Sequence, residues 1–159
     1  MCDCDVLIVG AGPAGTALAL ELAHQDISFR IVDKSPARSD KSRAFAVQPR
    51  TLELFDRLGD AKWFLSHGQP LKGLTMISNR KLVAGIEVEH FGTTDTEFPL
   101  PIIISQADTE RFLDDGLSRY GKAVERSVTV ATEDISQDEN EVRTVLQYPD
   151  GTCETVVSK

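Results

Sequence analysis

The chain has 159 residues, 41% hydrophobic and 26% charged, which suits one globular domain with a sizeable core. Its net charge of -8 argues against a nucleic-acid or anionic-membrane surface, because both need a cationic face, but it leaves room for a nucleotide held by backbone amides. No apolar run reaches the length of a membrane span, and the sparse, odd set of Cys2, Cys4 and Cys153 gives no disulfide framework, so a reducing, cytoplasmic location is the default.

Residues 5–10 (DVLIVG) are a short β-branched run, predicted to be a strand buried on both faces as in a parallel sheet. An alanine- and leucine-rich stretch from Pro13 to about His24 predicts a helix, with Pro13 at the first position, where its missing N–H costs nothing. Leu18 and Leu22 are four apart and share a face. Residues 28–33 (SFRIVD) read as a second strand, which makes residues 1–34 a βαβ unit. Residues 34–46 are polar and read as a loop. Residues 48–58 predict a helix ended by Gly59, and residues 60–67 another helical turn in which Trp63 and Phe64 cap a core edge.

Residues 74–78 and 82–88 read as a strand pair around Asn79-Arg80, and residues 102–105 as a short strand. Residues 107–120 predict a helix with Phe112, Leu113, Leu117 and Tyr120 on one side. Residues 124–135, 141–148 and 152–157 alternate apolar and polar, with a turn at Pro149-Asp150-Gly151, and predict a β-meander over residues 122–159. The expected fold class is α/β: a Rossmann-like βαβ with a parallel sheet core plus an antiparallel meander, forming a single, partial domain over residues 1–159.

Gly10-Ala11-Gly12-Pro13-Ala14-Gly15 fits G-x-G-x-x-G and stands where the mechanism needs it, after a strand and at the start of a helix. Gly10 permits the tight turn, a bare Gly12 lets a pyrophosphate reach the backbone, and Gly15 lets the helix pack close to the strand. The helix N-terminus, opened by Pro13 and Ala14, offers amides and a partial positive charge to phosphates. Asp33 ends the second strand at the distance where a carboxylate accepts hydrogen bonds from both ribose hydroxyls and repels a 2′-phosphate. The motif does not separate FAD from NAD. Cys2-x-Cys4 lacks a second pair at zinc spacing, and His24, His67 and His90 are scattered, so no metal site is expected.

Residues 5–15 (DVLIVGAGPAG) resemble flavoproteins of the glutathione-reductase-like fold. Residues 43–59 (RAFAVQPRTLELFDRLG) are similar to the arginine-led segment after the second strand in FAD-dependent aromatic-ring hydroxylases, the phenol and p-hydroxybenzoate hydroxylase group of flavin monooxygenases. Residues 105–113 (SQADTERFL) resemble a third segment of that family, whose glutamine contacts the cofactor. The resemblance implies FAD as cofactor, NAD(P)H as its reductant, O₂ as co-substrate and a small aromatic substrate. By position it implies that Asp33 binds the adenosine ribose and that Lys34 lies beside the adenine. Arg43 then reaches the FAD pyrophosphate or the ring edge, and Gln106 hydrogen-bonds the ribityl or phosphate region. A guanidinium forks well onto phosphate oxygens. Arg50 and Arg111 are expected in surface ion pairs, for example with Glu53 or Asp115.

The family is longer and carries an Asp-Gly and then a Gly-Asp motif after the meander. Here the Asp-Gly pairs are Asp115-Gly116, inside a predicted helix, and Asp150-Gly151, in a turn. The family parts that hold the flavin ring and shape a substrate pocket are therefore expected to be missing. Weak FAD affinity, little or no hydroxylase activity, and an unpaired sheet edge open to self-association or a partner chain follow. No catalytic acid or base can be named, since the flavin carries the chemistry. Two other readings stay open: a non-catalytic nucleotide-binding or interaction module completed by a partner chain, and an NAD-binding oxidoreductase fragment.

Overall fold

A computed structural model describes residues 2–38, 46–88 and 95–159. In chain order the elements are β1 (Val6–Val9), α1 (Pro13–His24), β2 (Phe29–Asp33), β3 (Ala46–Val47), α2 (Pro49–Arg57), α3 (Ala61–His67), β4 (Gln69–Pro70), β5 (Gly73–Ser78) and β6 (Lys81–Glu87). They continue as β7 (Ile102–Ile103), α4 (Gln106–Arg119), β8 (Glu125–Arg126), a 3₁₀ turn (Thr132–Asp134), β9 (Ile135–Gln137), β10 (Val142–Gln147) and β11 (Cys153–Ser158). The chain divides into two compact units, one of Met1–Lys41 with Ala107–Lys159 and the other of Ser42–Gln106.

The first unit is an α/β structure on a parallel sheet of order β1-β2-β8. Val6 to Val9 run in register with Phe29 to Val32, and Val32 and Asp33 pair with Glu125 and Arg126. β1 is not buried on both faces as predicted. Ile8 is buried, but Val9 is 56% exposed, because β1 is the edge of the described sheet and is paired on one side only. α1 buries Thr16, Ala19, Leu20 and Ala23, whereas Leu18 faces solvent. Small residues on the buried face let the helix sit close to the sheet. α4 packs on α1 through Gly116, where an added Cβ would stand 3.2 Å from the Leu20 side chain.

The other face of this sheet is covered by the antiparallel meander β9-β10-β11. Cys4, Val32, Val128, Leu146 and Val156 form the core between them. Arg30 of β2 fastens the layers with charge-assisted bonds: Nε and Nη2 donate to Glu125 at 2.8 and 2.7 Å, and Nη1 donates to Glu154 at 2.7 Å. The predicted continuous strand over residues 124–135 is not formed. Its first residues join the parallel sheet as β8, Ser127 turns the chain with a left-handed backbone (φ 61°), and the meander proper starts at β9. Alternation of apolar residues was the same on both sides of that turn, so periodicity alone did not show the change of sheet.

In the second unit α2 and α3 bury Leu52, Phe55, Ala61 and Phe64, with the Phe55 and Phe64 rings stacked 4.7 Å apart. Phe64 is thus in the core and not at its edge, while Trp63 lies edge-on to it. Gly59, at φ 78°, ends the first helix as expected. A short sheet of order β3-β7-β4 lies beside the β5–β6 hairpin in the chain, and the predicted strand at 102–105 is confined to Ile102–Ile103. Asn79 and Arg80 both adopt positive φ (48° and 61°), the pattern of a two-residue hairpin turn whose twist suits the strands. Every residue of β5 and β6 is exposed.

Candidate nucleotide-binding site

The site is built where β1 passes into α1. The Gly10 amide donates to the Val32 carbonyl at 2.8 Å, which carries the β1–β2 ladder one residue past the strand. Gly10 then takes φ 109°, a conformation that L side chains rarely adopt, and turns the chain upward. Gly12 caps α1 with extended backbone, and its carbonyl accepts from the Thr16 amide at 3.0 Å and the Thr16 hydroxyl at 3.1 Å. No side chain caps this helix end. The first-turn amides of an α-helix have no partner within the helix, and Pro13 removes one of them.

The three glycines differ in what surrounds them. An added Cβ at Gly15 would meet the Gly10 carbonyl oxygen at 2.0 Å, so this position must be bare for the helix to close on the turn. At Gly12 nothing lies within 4 Å of that point, so bareness there serves nothing inside the protein. It leaves the backbone approachable from outside. Gly12 and Ala14 are exposed and Ala11 is buried, so the turn is an open cradle and not one covered by side chains.

Asp33 closes the site from β2. Its Oδ2 accepts from the Ala11 amide at 2.6 Å and its Oδ1 from the Ser35 amide at 2.7 Å. Burial works against the charge, but the amides of Ala11 and Ser35 and the nearby Arg126 outweigh it and hold the carboxyl below its usual range. An ionised carboxylate with both oxygens anchored still has free lone pairs for a diol. Lys34 follows directly and is exposed.

The structure therefore brings together Gly10, Gly12, Pro13, Ala14, Gly15, Asp33 and Lys34 in one unit. Arg43 lies outside the described residues, as does His90. Gln106 is the first residue of α4 and falls in the second unit. Arg50 pairs with Glu53 at 2.8 Å as expected, whereas Arg111 pairs with Asp108, one turn before it, and not with Asp115. Sequence reasoning missed Ser35 and Arg126. Ser35 was readable, because Asp-x-Ser is an Asx-turn pattern in which the carboxylate bonds the amide two residues on. Arg126 was not, because only the β2–β8 register places it beside Asp33. Among the described residues no group of His, Cys, Asp or Glu could hold a metal ion, and no helix is long and apolar enough to cross a membrane.

An open glycine cradle, a helix end without a side-chain cap and an anchored carboxylate fit the ADP half of a dinucleotide cofactor. The proteins that this chain resembles are monooxygenases. Pentachlorophenol 4-monooxygenase of Sphingobium chlorophenolicum is 30% identical over 155 residues, 97% of this chain and 28% of its own. The p-nitrophenol 4-monooxygenase PnpA of Pseudomonas putida DLL-E4 has the same fold at a TM-score of 0.84, 22% identity, 98% of this chain and 39% of its own. The flavin-dependent monooxygenase PieE, solved with FAD and substrate, superposes at 0.83 with 22% identity, 99% of this chain and 30% of its own. The chain spans less than a third of the length of the curated relatives it matches. A family model described as "FAD binding domain" matches residues 3–159, and on that match this chain belongs to the FAD binding domain family.

Proposed function

We propose that residues 10–15 and Asp33 hold the ADP half of FAD, in a protein whose whole length hydroxylates a small aromatic ring using NAD(P)H and O₂. The observation that carries the first part is the 2.6 Å bond from the Ala11 amide to Asp33 beside an uncovered Gly12. Together these present phosphate donors and a ribose acceptor side by side. Lys34 then lies along the adenine, Arg43 reaches the pyrophosphate or the ring edge, and Gln106 bonds the ribityl or phosphate region. Residues 1–159 form part of one FAD-binding domain, with residues 1–34 as its βαβ unit and its meander, expected over residues 122–159, carried by β9, β10 and β11. When bound, FAD supplies the oxygen-transfer chemistry. This chain's residues bind the cofactor and orient its adenosine end. The activity of the relative named for pentachlorophenol, 30% identical to this chain, supports the aromatic substrate class.

Equilibrium titration of the purified chain with FAD and with NAD tests this. Weak, saturable FAD binding with no NAD binding is expected. NAD binding without FAD binding overturns the cofactor assignment. A second reading concerns assembly. Among the described residues β1 pairs on one side only, with Val9 56% exposed, and that favours self-association or pairing with another chain through this strand.

A further inference from the structure

Asp33 has a cationic neighbour that its bonds to Ala11 and Ser35 do not require. In the β2–β8 register Asp33 stands opposite Arg126, so the two side chains emerge on one face of the sheet. That face is the one toward the helices, since neighbouring Val32 is in the core under the meander. Arg126 is 19% exposed, and its Nη2 lies 3.3 Å from Asp114 Oδ2 on α4. Arg38 Nε approaches the same oxygen at 3.6 Å. The strand end is pinned as well: Val128 N donates to the Asp33 carbonyl at 3.0 Å and Ser127 N to the Ser35 carbonyl at 3.3 Å.

We infer that Arg126, braced by Asp114, is a positioning residue, which sets a positive charge beside the Asp33 carboxylate and keeps that group an anion aimed at the glycine turn. This rests on the assignment of Asp33 to the ribose and extends it. Among the described residues, the ionisable groups beside Asp33 or linked to it through Arg126 are Lys34 and Arg38 from the segment after β2, Arg126 from β8, and Asp114 of α4 with Glu110 near it. The glycine turn and the first turn of α1 contribute none. Burial pushes the Asp114 carboxyl up, and Arg126 and Arg38 partly offset that. Asp114 thus holds Arg126 in place, and the charge of Arg126 reaches Asp33. A cavity of about 190 Å³ lined by Asp114, Leu117, Ser118, Ala123, Val124 and Arg126 leaves room for water if the guanidinium is removed.

The test is a carbon-13 NMR titration of the Asp33 carboxyl in the unliganded chain, for wild type, Arg126→Gln and Arg126→Lys. ADP binding is measured by calorimetry over the same pH range. Without the cation the carboxyl takes up its proton at higher pH, so the midpoint in Arg126→Gln rises above that of wild type. Arg126→Lys restores it. ADP affinity in Arg126→Gln falls off from a correspondingly higher pH on acidification, so its deficit against wild type widens as pH drops. An unchanged Asp33 midpoint, or an ADP deficit equal at every pH, overturns the inference. If Arg126→Gln does not fold, Arg126→Met keeps the packed stem without the charge. A wild-type chain that binds no ADP at any pH counts against the ribose assignment, and the carboxyl titration still decides the role of Arg126.

Discussion

At the scale of single residues, the glycine turn separates packing from recognition. Gly15→Ala puts a methyl into the Gly10 carbonyl, 2.0 Å away in the unrelaxed geometry, and is expected to cost about 1–3 kcal/mol of stability. Gly12→Ala meets nothing within 4 Å and sits at an ordinary φ of -75°. Its melting temperature is expected to match wild type while its FAD affinity falls by about tenfold or more, as expected of a methyl in the path of the pyrophosphate. Thermal melts and flavin titration on the two variants check both. If Gly12→Ala binds FAD normally, the cradle does not receive the phosphates.

Asp33 links the same turn to pH. Its folded carboxyl is held below its unfolded value, so its stabilisation is complete above about pH 4 and is lost as pH falls through the folded midpoint. Asp33→Asn keeps one acceptor oxygen but turns an NH₂ toward either Ala11 or Ser35. It should therefore be less stable than wild type at pH 7 by about 1–3 kcal/mol. The gap should close on acidification, because a protonated Asp33 suffers the same loss of an acceptor. Urea melts at pH 7 and pH 3 check this, and a gap no narrower at pH 3 than at pH 7 contradicts the ionic role.

At the scale of elements, most boundaries lay in the sequence. Pro13 and Pro49 start helices at their first positions, Gly59 and Gly121 end them with positive φ, and Asn79-Arg80 turns the hairpin. The exception was residues 124–135, where one alternating run is split between two sheets. The split is made at Ser127, a left-handed residue with a side chain. An L residue other than glycine is strained there, so Ser127→Gly is expected to stabilise the protein by about 0.5–1 kcal/mol in urea melts. A neutral or destabilising result would mean that the serine side chain contributes more than the strain removes.

For the whole molecule, two exposed apolar features bear on solution behaviour. One is the edge of β1, which ends in Val9 and is unpaired among the described residues. The other is the β5–β6 hairpin, where Met76, Ile77 and Leu82 are 63%, 66% and 71% exposed. Apolar surface of this kind favours association. Sedimentation velocity on wild type, Val9→Lys and Leu82→Lys separates the two routes. Pairing through β1 predicts that Val9→Lys gives monomer at concentrations where wild type associates and that Leu82→Lys does not. The reverse result moves the contact to the hairpin and removes the reading of β1 as the pairing edge.

The sequence by itself determined the βαβ unit, the cradle and the acid that answers it, because each depends on residue types a fixed number of positions apart. Bare backbone at residues 10, 12 and 15, a proline at the helix start and a carboxylate at the end of the next strand are local requirements that spacing can express. The tertiary structure decided which face of the sheet each layer covers, that residues 125–126 belong to the parallel sheet, and that Arg126 stands opposite Asp33. Those facts join residues more than ninety positions apart through strand register. Register is set by how all the side chains of a layer bury together, and no short stretch of chain carries it.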